Sequence, residues 1–243
     1  MNLKVILYFI AAFAVSTPAA FGQSLERSGA DFGKLGIGLD QSISQQSLED
    51  LRRDGFELMA DFRNSTRYAP IQNMVGLVHI LRADGHEELC SGSLIAADKV
   101  LTNAHCVHAK GPNRAIRIVF NMHFLDPNRA SDVRSYSARP RPLERNWDYD
   151  YAVIQLKQAV PGYTTGQFTT LAPRPREPLV LAGHPLGEPL YLSRFGCRFR
   201  QAGMVPKSWF AHGCSTLNGS SGSLIFSDDD LSVLIGLHSA RAQ

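Results

Sequence analysis

The chain has 243 residues, of which 44% are hydrophobic and 19% are charged, as in an ordinary globular protein with one or two apolar cores. Its formal net charge of +3 is too small to indicate nucleic acid or an anionic membrane surface as a partner.

The first 22 residues have the features of a targeting segment. Lys4 supplies a positive n-region, the apolar run VILYFIAAFAV follows, and small residues precede a cleavage site after Gly22. That run is too short to span a bilayer, and no later stretch is long or apolar enough to do so. We therefore expect residues 1–22 to be a signal peptide. The remaining protein would be secreted or periplasmic, with no membrane insertion after cleavage.

Residues 23–69 differ from the rest of the chain. Their first part is rich in glycine and serine and lacks periodicity, which favours a loop. The stretch SLEDLRRDGFELMADFRN then predicts a short helix capped by Ser47 and weakened by Gly55. These features predict an N-terminal extension or prosegment.

From about residue 70 the chain consists of short apolar runs separated by Gly, Pro, Asn and Asp. The runs are strand-length and rich in Val, Ile, Leu and Phe, and no strong helical period recurs. Many short strands with turn signals between them predict an all-β sandwich or barrel. Proline-rich stretches near residues 160–178 predict a connection between two halves.

Export makes the four cysteines candidates for disulfides. Three connectivities are possible. The sequence-local one, Cys90–Cys106 and Cys197–Cys214, closes two short loops. No pair has C-x-x-C spacing and no histidines frame the cysteines as zinc ligands, so we predict no metal site. No motif indicates a nucleotide or haem, and we expect no cofactor.

His105 stands out among the eight histidines because of the stretch VLTNAHCV. It follows an apolar strand and directly precedes Cys106, which can tie back to Cys90 and fix the turn that carries the imidazole. A general base needs such a fixed position, because proton transfer requires hydrogen-bond reach.

Two aspartates begin the strand in WDYDYAVIQLK. A carboxylate that orients a histidine must be rigid and shielded from water, and the start of a buried strand provides both conditions. We prefer Asp150 to Asp148, because Asp150 directly precedes the apolar run.

The stretch LNGSSGSL frames one serine with glycines. Ser221 has Gly219 two residues before it and Gly222 directly after it, whereas Ser220 and Ser223 lack this arrangement. A serine nucleophile needs a base and backbone N–H groups directed at the developing oxyanion, and glycine permits the tight turn. The order His, Asp, Ser is that of chymotrypsin-type triads, and the G-x-S-x-G elbow of lipases and esterases is absent.

CSGSLIAADKVLTNAHCV, DYDYAVIQL and CSTLNGSSGSLIF resemble the three signature blocks of trypsin-like (chymotrypsin-fold) serine peptidases, in particular bacterial secreted ones similar to V8-type glutamyl endopeptidases. The resemblance covers roughly residues 70–240. It implies two antiparallel six-stranded β-barrels, residues 70–160 and 161–243, with the site in the cleft between them. It also implies a protein or peptide substrate.

Residue by residue, the resemblance implies that His105 is the general base, Asp150 its orienter and Ser221 the nucleophile. The amides of Gly219 and Ser221 would form the oxyanion hole. Cys90–Cys106 matches the family's disulfide beside the histidine.

The position that selects basic side chains in the trypsin subgroup is Ser215 here, which disfavours that specificity. The glutamyl endopeptidases instead imply an S1 pocket lined by Thr216, His238 and Ser239, with an acidic P1 residue.

Two departures from the family's pattern matter. Ser220 occupies the place of the aspartate that binds the new N-terminal ammonium in trypsin, so that activation switch is not expected. Family members continue for a further strand after GLHS, so we expect a second barrel that is incomplete at its C-terminus or completed by the extension. A non-catalytic binding module on the same fold is the alternative function. The sequence predicts no oligomeric state.

Overall fold

The computed structural model describes residues 11–14, 45–62, 64–108, 113–120, 133–163, 168–200 and 209–239. Within these ranges two β-sheets and three short α-helices make up most of the regular structure, which confirms the predicted all-β class. Most of the predicted signal peptide and the first part of the predicted extension lie outside the described residues. In the part of the chain that is described, no helix is long and apolar enough to cross a membrane.

The elements are numbered in chain order. The N-terminal ones are β1 (Ala11–Ala14), α1 (Gln45–Arg53), β2 (Phe56–Leu58) and α2 (Ala69–Met74). The first sheet and its helix contain β3 (Val75–Arg82), β4 (Glu87–Ala96), β5 (Lys99–Thr102), α3 (Ala104–His108), β6 (Asn113–Phe120), β7 (Arg134–Ala138), β8 (Glu144–Asn146) and β9 (Tyr151–Gln155). The remaining strands are β10 (Thr169–Thr170), β11 (Leu179–Gly183), β12 (Tyr191–Ser193), β13 (Phe199–Arg200), β14 (Trp209–His212), β15 (Leu224–Ser227) and β16 (Val233–His238).

The first sheet is antiparallel, with seven strands in the order β7-β6-β3-β4-β5-β9-β8. Its register places branched apolar residues side by side, for example Val78 opposite Ile118 and Ile80 opposite Ile116. Such pairs pack well on a pleated surface. An isolated bridge joins Ala138, at the end of the edge strand β7, to Leu156, which directly follows β9. This sheet therefore curves around one core and carries β5, α3 and β9, which position the site.

The second sheet has nine strands, and its main path is β13-β14-β1-β16-β15-β11-β12-β2, with β10 paired to β16. Most pairs are antiparallel, but β1 runs parallel to both β14 and β16, and β10 runs parallel to β16. We expected a place for a further strand beside the GLHS segment. In the structure β1, which belongs to the predicted signal peptide, lies beside it. The two sheets thus have seven and nine strands rather than six each, because β8 extends the first and β1, β2 and β10 extend the second.

Residues 45–62 pack against the second sheet. The predicted helix is α1, although it begins two residues before Ser47. It ends near Gly55, whose φ of +86° favours glycine. Strand β2 then pairs antiparallel with β12 at the sheet edge. Leu51, Phe56 and Leu58 are each at most 6% exposed and form a small apolar cluster with Tyr191. Burying such a side chain contributes about 1.5–3 kcal/mol, so this segment is firmly held.

Candidate active site

His105 lies in α3, directly after the buried end of β5. Cys106 forms a disulfide with Cys90 of β4, as predicted, which anchors this helix to the first sheet. Arg82 supports the same helix, because its Nη2 donates a 2.6 Å hydrogen bond to the carbonyl oxygen of Cys106. The imidazole is 29% exposed and is therefore accessible while its backbone is held.

Asp150 lies in the turn just before β9 and is 2% exposed. One of its carboxylate oxygens is 2.7 Å from Nδ1 of His105, and the other accepts the backbone N–H of His105 at 3.0 Å. Asn103 holds the backbone of Asp150 by donating from Nδ2 to its carbonyl oxygen at 2.8 Å. The structure thus brings His105 and Asp150 together in the orientation that a base and its orienting carboxylate require.

Asp150 has a φ of +48°, in the left-handed region that few residues other than glycine adopt. Aspartate tolerates this region better than most residues, at a cost on the order of 1 kcal/mol. The unusual turn directs the carboxylate toward α3 just before the chain enters β9. The sequence pattern did not indicate it.

A third group binds the carboxylate of Asp150. The hydroxyl of Ser239, which is fully buried, donates a short hydrogen bond to Oδ2. Burial would raise the pKa of Asp150, but the hydrogen bonds from His105 and Ser239 and the attraction of the imidazolium outweigh it, so the pKa is lowered. Ser239 was predicted as an S1 residue. Its side chain instead binds Asp150, and a pocket role for its backbone stays a prediction.

The loop that carries Ser221, residues 215–223, is called the serine loop and is shaped by two glycines. Gly219 has a φ of +90°, and a Cβ there would lie 2.5 Å from the carbonyl oxygen of His184. Gly222 has a φ of +85°, and a Cβ there would lie 2.1 Å from the carbonyl oxygen of Ser91. Only glycine fits at either position. Within the loop, Oγ of the buried Ser220 accepts the N–H of Leu217 at 3.1 Å.

Ser91 ties this loop to the first sheet, a role that sequence reasoning missed. Its hydroxyl donates to the carbonyl oxygen of Gly219 and accepts the N–H of His184, each at 2.8 Å. Its backbone N–H donates to the carbonyl oxygen of Ser221 at 2.7 Å. Ser91 directly follows Cys90, the disulfide partner of Cys106. Its place beside this cysteine in CSGSL is the one feature of the sequence that could have indicated its role.

Ser221 and His105 are therefore both attached to strand β4, which contains Ser91 and Cys90. Ser221 is half-buried and bonded to Ser91, and the Cys90–Cys106 disulfide connects that strand to the residue after His105. Among the described residues, no hydrogen bond joins the Ser221 hydroxyl to the imidazole of His105. The structure thus brings His105 and Asp150 into contact and places the serine loop beside them, without a hydrogen bond between Ser221 and His105 among the described residues.

The predicted S1 residues lie at the second sheet. Thr216 is half-buried in the loop before Ser221, whereas His238 is buried at the end of β16. The ring of His238 contacts that of His212, with Nδ1 of His238 3.1 Å from Nε2 of His212. His212 also accepts the backbone N–H of Cys214 at its Nδ1, at 3.2 Å. Neutral His212 therefore carries its proton on Nε2 and donates it toward His238.

Burial lowers the pKa of His212 well below its usual value, and the neighbouring His238 and Arg200 act in the same direction. His212 is accordingly neutral near pH 7. His212 ends the strand before the loop that carries Thr216 and Ser221, and His238 ends β16, the second strand after that loop. Sequence reasoning identified only His238.

The second predicted disulfide, Cys197–Cys214, also forms and closes the start of the serine loop. Donor atoms of Cys90, His105 and Cys106 lie within 4.8 Å of one another, a spacing that metal sites also have. Both sulfur atoms belong to the disulfide, however, so neither can bind a metal as a thiolate.

The fold and the site together define an all-β protein of the chymotrypsin-like class, with a histidine–aspartate pair on one sheet and a glycine-framed serine loop on the other. The family model of the trypsin-like peptidase domain matches residues 90–237 of this chain. The chain belongs to that family, which supports assignment to the serine proteases.

Solved structures show the same fold at low sequence identity. The protease Rv3671c of M. tuberculosis, in its inactive form, matches with a TM-score of 0.52 and 16% identity over 74% of this chain and 83% of that one. Its active form matches with a TM-score of 0.50 and 15% identity over 72% and 79%. A serine endoprotease from Yersinia pestis matches with a TM-score of 0.51 and 16% identity over 68% of this chain and 53% of that one. The narrower likeness to V8-type glutamyl endopeptidases is not confirmed by these comparisons.

Proposed function

We propose that this protein is an exported serine endopeptidase that cleaves peptide bonds with Ser221, His105 and Asp150. The observation that carries the proposal is the 2.7 Å contact between Asp150 and Nδ1 of His105, which leaves Nε2 as the basic nitrogen of the ring. The two disulfides favour an oxidising compartment, in agreement with the predicted signal peptide and a secreted or periplasmic location.

The chemistry proceeds in two displacements. Nε2 of His105 takes the proton of Ser221 as Oγ attacks the scissile carbonyl carbon, and the electron pair of the C=O bond moves to oxygen. The imidazolium then gives its proton to the leaving amine, and an acyl-enzyme remains. Water, deprotonated by the same imidazole, attacks the ester and releases the carboxylic acid, which regenerates Ser221. Asp150 stabilises the imidazolium in both steps.

The oxyanion would be bound by the amides of Gly219 and Ser221. The left-handed backbone of Gly219 allows a tight turn at this point, and Ser91 holds that turn by donating to the carbonyl oxygen of Gly219. Donors fixed in advance stabilise charge that develops in the transition state without further reorganisation.

Replacing Ser221 tests the reaction. Ser221→Ala should lower kcat/KM on peptide substrates about 10⁴- to 10⁶-fold, because the nucleophile acts together with its base. Ser223→Ala is the matched control from the same loop. Its hydroxyl is buried and, within the described residues, has no hydrogen-bond partner, so its loss should leave kcat/KM almost unchanged. Equal activity of wild type and Ser221→Ala would refute the proposal.

We further propose a preference for an acidic P1 residue, bound near Thr216 and His238. The hydrogen bond from His212 to Nδ1 makes Nε2 the donor nitrogen of His238, which suits a substrate carboxylate. Matched peptides with Glu, Arg or Phe at P1 test this preference. Glu should give the highest kcat/KM, and a lower value for Glu than for Phe or Arg would contradict it.

A non-catalytic binding module is the second candidate, favoured by the missing hydrogen bond between Ser221 and His105. In that case peptides would bind with equal affinity to wild type and Ser221→Ala, and neither protein would release product. Contacts of catalytic groups are often longer before substrate binds, so this observation weighs less than the histidine–aspartate geometry.

A further inference from the structure

Residues 45–62, which we call the N-terminal clasp, contact the serine loop at its first residue. The hydroxyl of Ser215 donates a short hydrogen bond to the carbonyl oxygen of Asp54, in the turn between α1 and β2. The next residue, Gly55, approaches so closely that a Cβ there would lie 3.1 Å from Oγ of Ser215. Ser215 lies between Cys214, which is fixed by its disulfide, and Thr216 of the predicted S1 pocket.

The backbone of Ser215 is held by the strand on which the clasp lies. Its N–H donates to Oγ of Ser193 at 2.7 Å, and Ser193 pairs with Phe56 in the register of β12 and β2. Both hydrogen bonds of Ser215 therefore lead to the clasp, one directly and one through its partner strand. A shift of the clasp would move the first residue of the loop that ends in Ser221.

The clasp is attached to the second sheet by more than backbone pairing. Glu57 binds Arg194 through two hydrogen bonds of 2.6 and 2.9 Å, and Arg194 also donates to the hydroxyl of Tyr68 at 3.2 Å. This ion pair raises the pKa of Arg194 above its ordinary value. Met59 is fully buried in the main core, and its N–H donates to the carbonyl oxygen of Leu190 at 2.9 Å. A segment that is removed on activation would not be expected to supply core side chains and an edge strand to the barrel.

The inner part of the serine loop has no carboxylate that could bind a new N-terminal ammonium. At the position before Ser221 the side chain is the hydroxyl of Ser220, which is fully buried and bonded to the N–H of Leu217. The loop is therefore ordered by its own hydrogen bonds and by the anchor at Ser215.

We propose that the N-terminal clasp remains in the active protein and positions the serine loop through the contact between Asp54 and Ser215. This inference rests on the proposed function. It restricts any removed prosegment to residues before 45, and it makes Gly55 and Ser215 positioning residues for substrate binding.

A double-mutant cycle tests this contact. Gly55→Ala places a methyl group against Oγ of Ser215, and should lower kcat/KM on peptides about 10-fold, mainly through a higher KM, because the pocket loop is displaced. Gly85→Ala is the matched control: φ is +90°, with no atom within 4 Å of the added Cβ, so it carries similar backbone strain without touching the loop. Its kcat/KM should equal that of wild type.

In the Ser215→Ala background the obstructed hydroxyl is absent. Gly55→Ala should then cost no more activity than Gly85→Ala does, although both still lower the unfolding midpoint. If Gly55→Ala lowered kcat/KM equally in that background, the mutation would act through stability alone and the inference would be overturned. If it lowered kcat/KM in neither background, the contact would not affect the serine loop, and the inference would be overturned as well.

Clasp removal supplies the second test. A specific cleavage site placed before residue 45 should leave kcat/KM unchanged after cutting. A site placed at residues 64–66, followed by release of the clasp peptide, should lower it at least about 100-fold. Higher activity after release would identify the clasp as an inhibitory prosegment and overturn the inference. Failure of the uncut protein to react at Ser221 would instead refute the proposed function itself.

Discussion

At the scale of single residues, the site depends on how Asp150 is held. Its carboxylate accepts hydrogen bonds from the imidazole and the backbone N–H of His105, and also from the hydroxyl of Ser239. Donation from three groups keeps the carboxylate ionised despite its burial and fixes the tautomer of the histidine. The left-handed turn at Asp150 makes this convergence possible.

Asp150→Asn should lower kcat about 10⁴-fold, because the amide of asparagine can donate to Nδ1 and so leave the wrong tautomer of His105. Initial rates of peptide cleavage at saturating substrate measure this loss of kcat. The lowered pKa of Asp150 also stabilises the folded state above pH about 3.9, and this contribution is lost as the pH falls through the folded-state pKa. The difference in unfolding free energy between wild type and Asp150→Asn should therefore shrink in acid. A constant difference from pH 7 to pH 2 would contradict it.

His212 should make the protein sensitive to mild acid. Its pKa is lowered in the folded state, so below pH about 6.5 the unfolded chain binds a proton that the folded protein does not. Stability is therefore present above that pH and falls by up to about 1.4 kcal/mol per pH unit below it. Denaturant unfolding at several pH values should show a shallower acid slope for His212→Asn than for wild type. An acid slope of His212→Asn equal to that of wild type would contradict this assignment.

At the scale of elements, the short helix α3 depends on its attachments. A helix of five residues is not stable alone, and here the Cys90–Cys106 disulfide and Arg82 hold it against the first sheet. The imidazole of His105 is thereby fixed at the sheet end that faces the serine loop.

The double variant Cys90→Ala/Cys106→Ala should lose about 3 kcal/mol of unfolding free energy, as expected for a closed loop of this length, and should also lower kcat. Cys197→Ala/Cys214→Ala removes a loop of nearly the same length, with sequence separations of 17 and 16 residues. It should cost similar stability but raise KM, because it frees the serine loop rather than the histidine. Calorimetry and initial rates separate the two effects, and identical kinetic changes would contradict this assignment.

The sequence predicted those features that depend on residues close together along the chain. The motif around His105 combines a strand and a cysteine, and both disulfides join nearby cysteines, so each could be predicted from spacing. The contact of Asp54 with Ser215 spans 161 positions, and that of Ser239 with Asp150 spans 89, so neither leaves a periodic signal in the sequence. For the same reason the pairing of β2 with β12 was not predicted, and residues 45–62 were interpreted only as an extension.

At the scale of the whole molecule, the two sheets are joined where the site lies. Ser91 of the first sheet binds Gly219, Ser221 and His184, and Ser239 after β16 binds Asp150 of the first sheet. The first sheet thus supplies His105, Asp150 and the anchor Ser91, whereas the second supplies the serine loop and Ser239.

Removal of the predicted signal peptide should loosen one part of the second sheet. Strand β1 is paired with β14 at Trp209–His212 and with β16 at Leu237 and His238. In a protein that begins at Gln23, we expect amides of β14 and the end of β16 to exchange about 10-fold faster or more than in a precursor with a blocked cleavage site, because their strand partner is gone. Amides between β11 and β15 should exchange equally in both forms. Equal exchange at β14 would contradict this pairing.

The reaction of the folded protein, purified from a host that can export it, with a fluorophosphonate, followed by peptide mass spectrometry, tests whether an imidazole, a carboxylate and a hydroxyl act together here. Modification should occur at Ser221, should be lost in His105→Ala, and should be accompanied by a mature N-terminus before residue 45. A folded protein whose Ser221 stays unmodified, or reacts equally well without His105, would contradict the proposed triad.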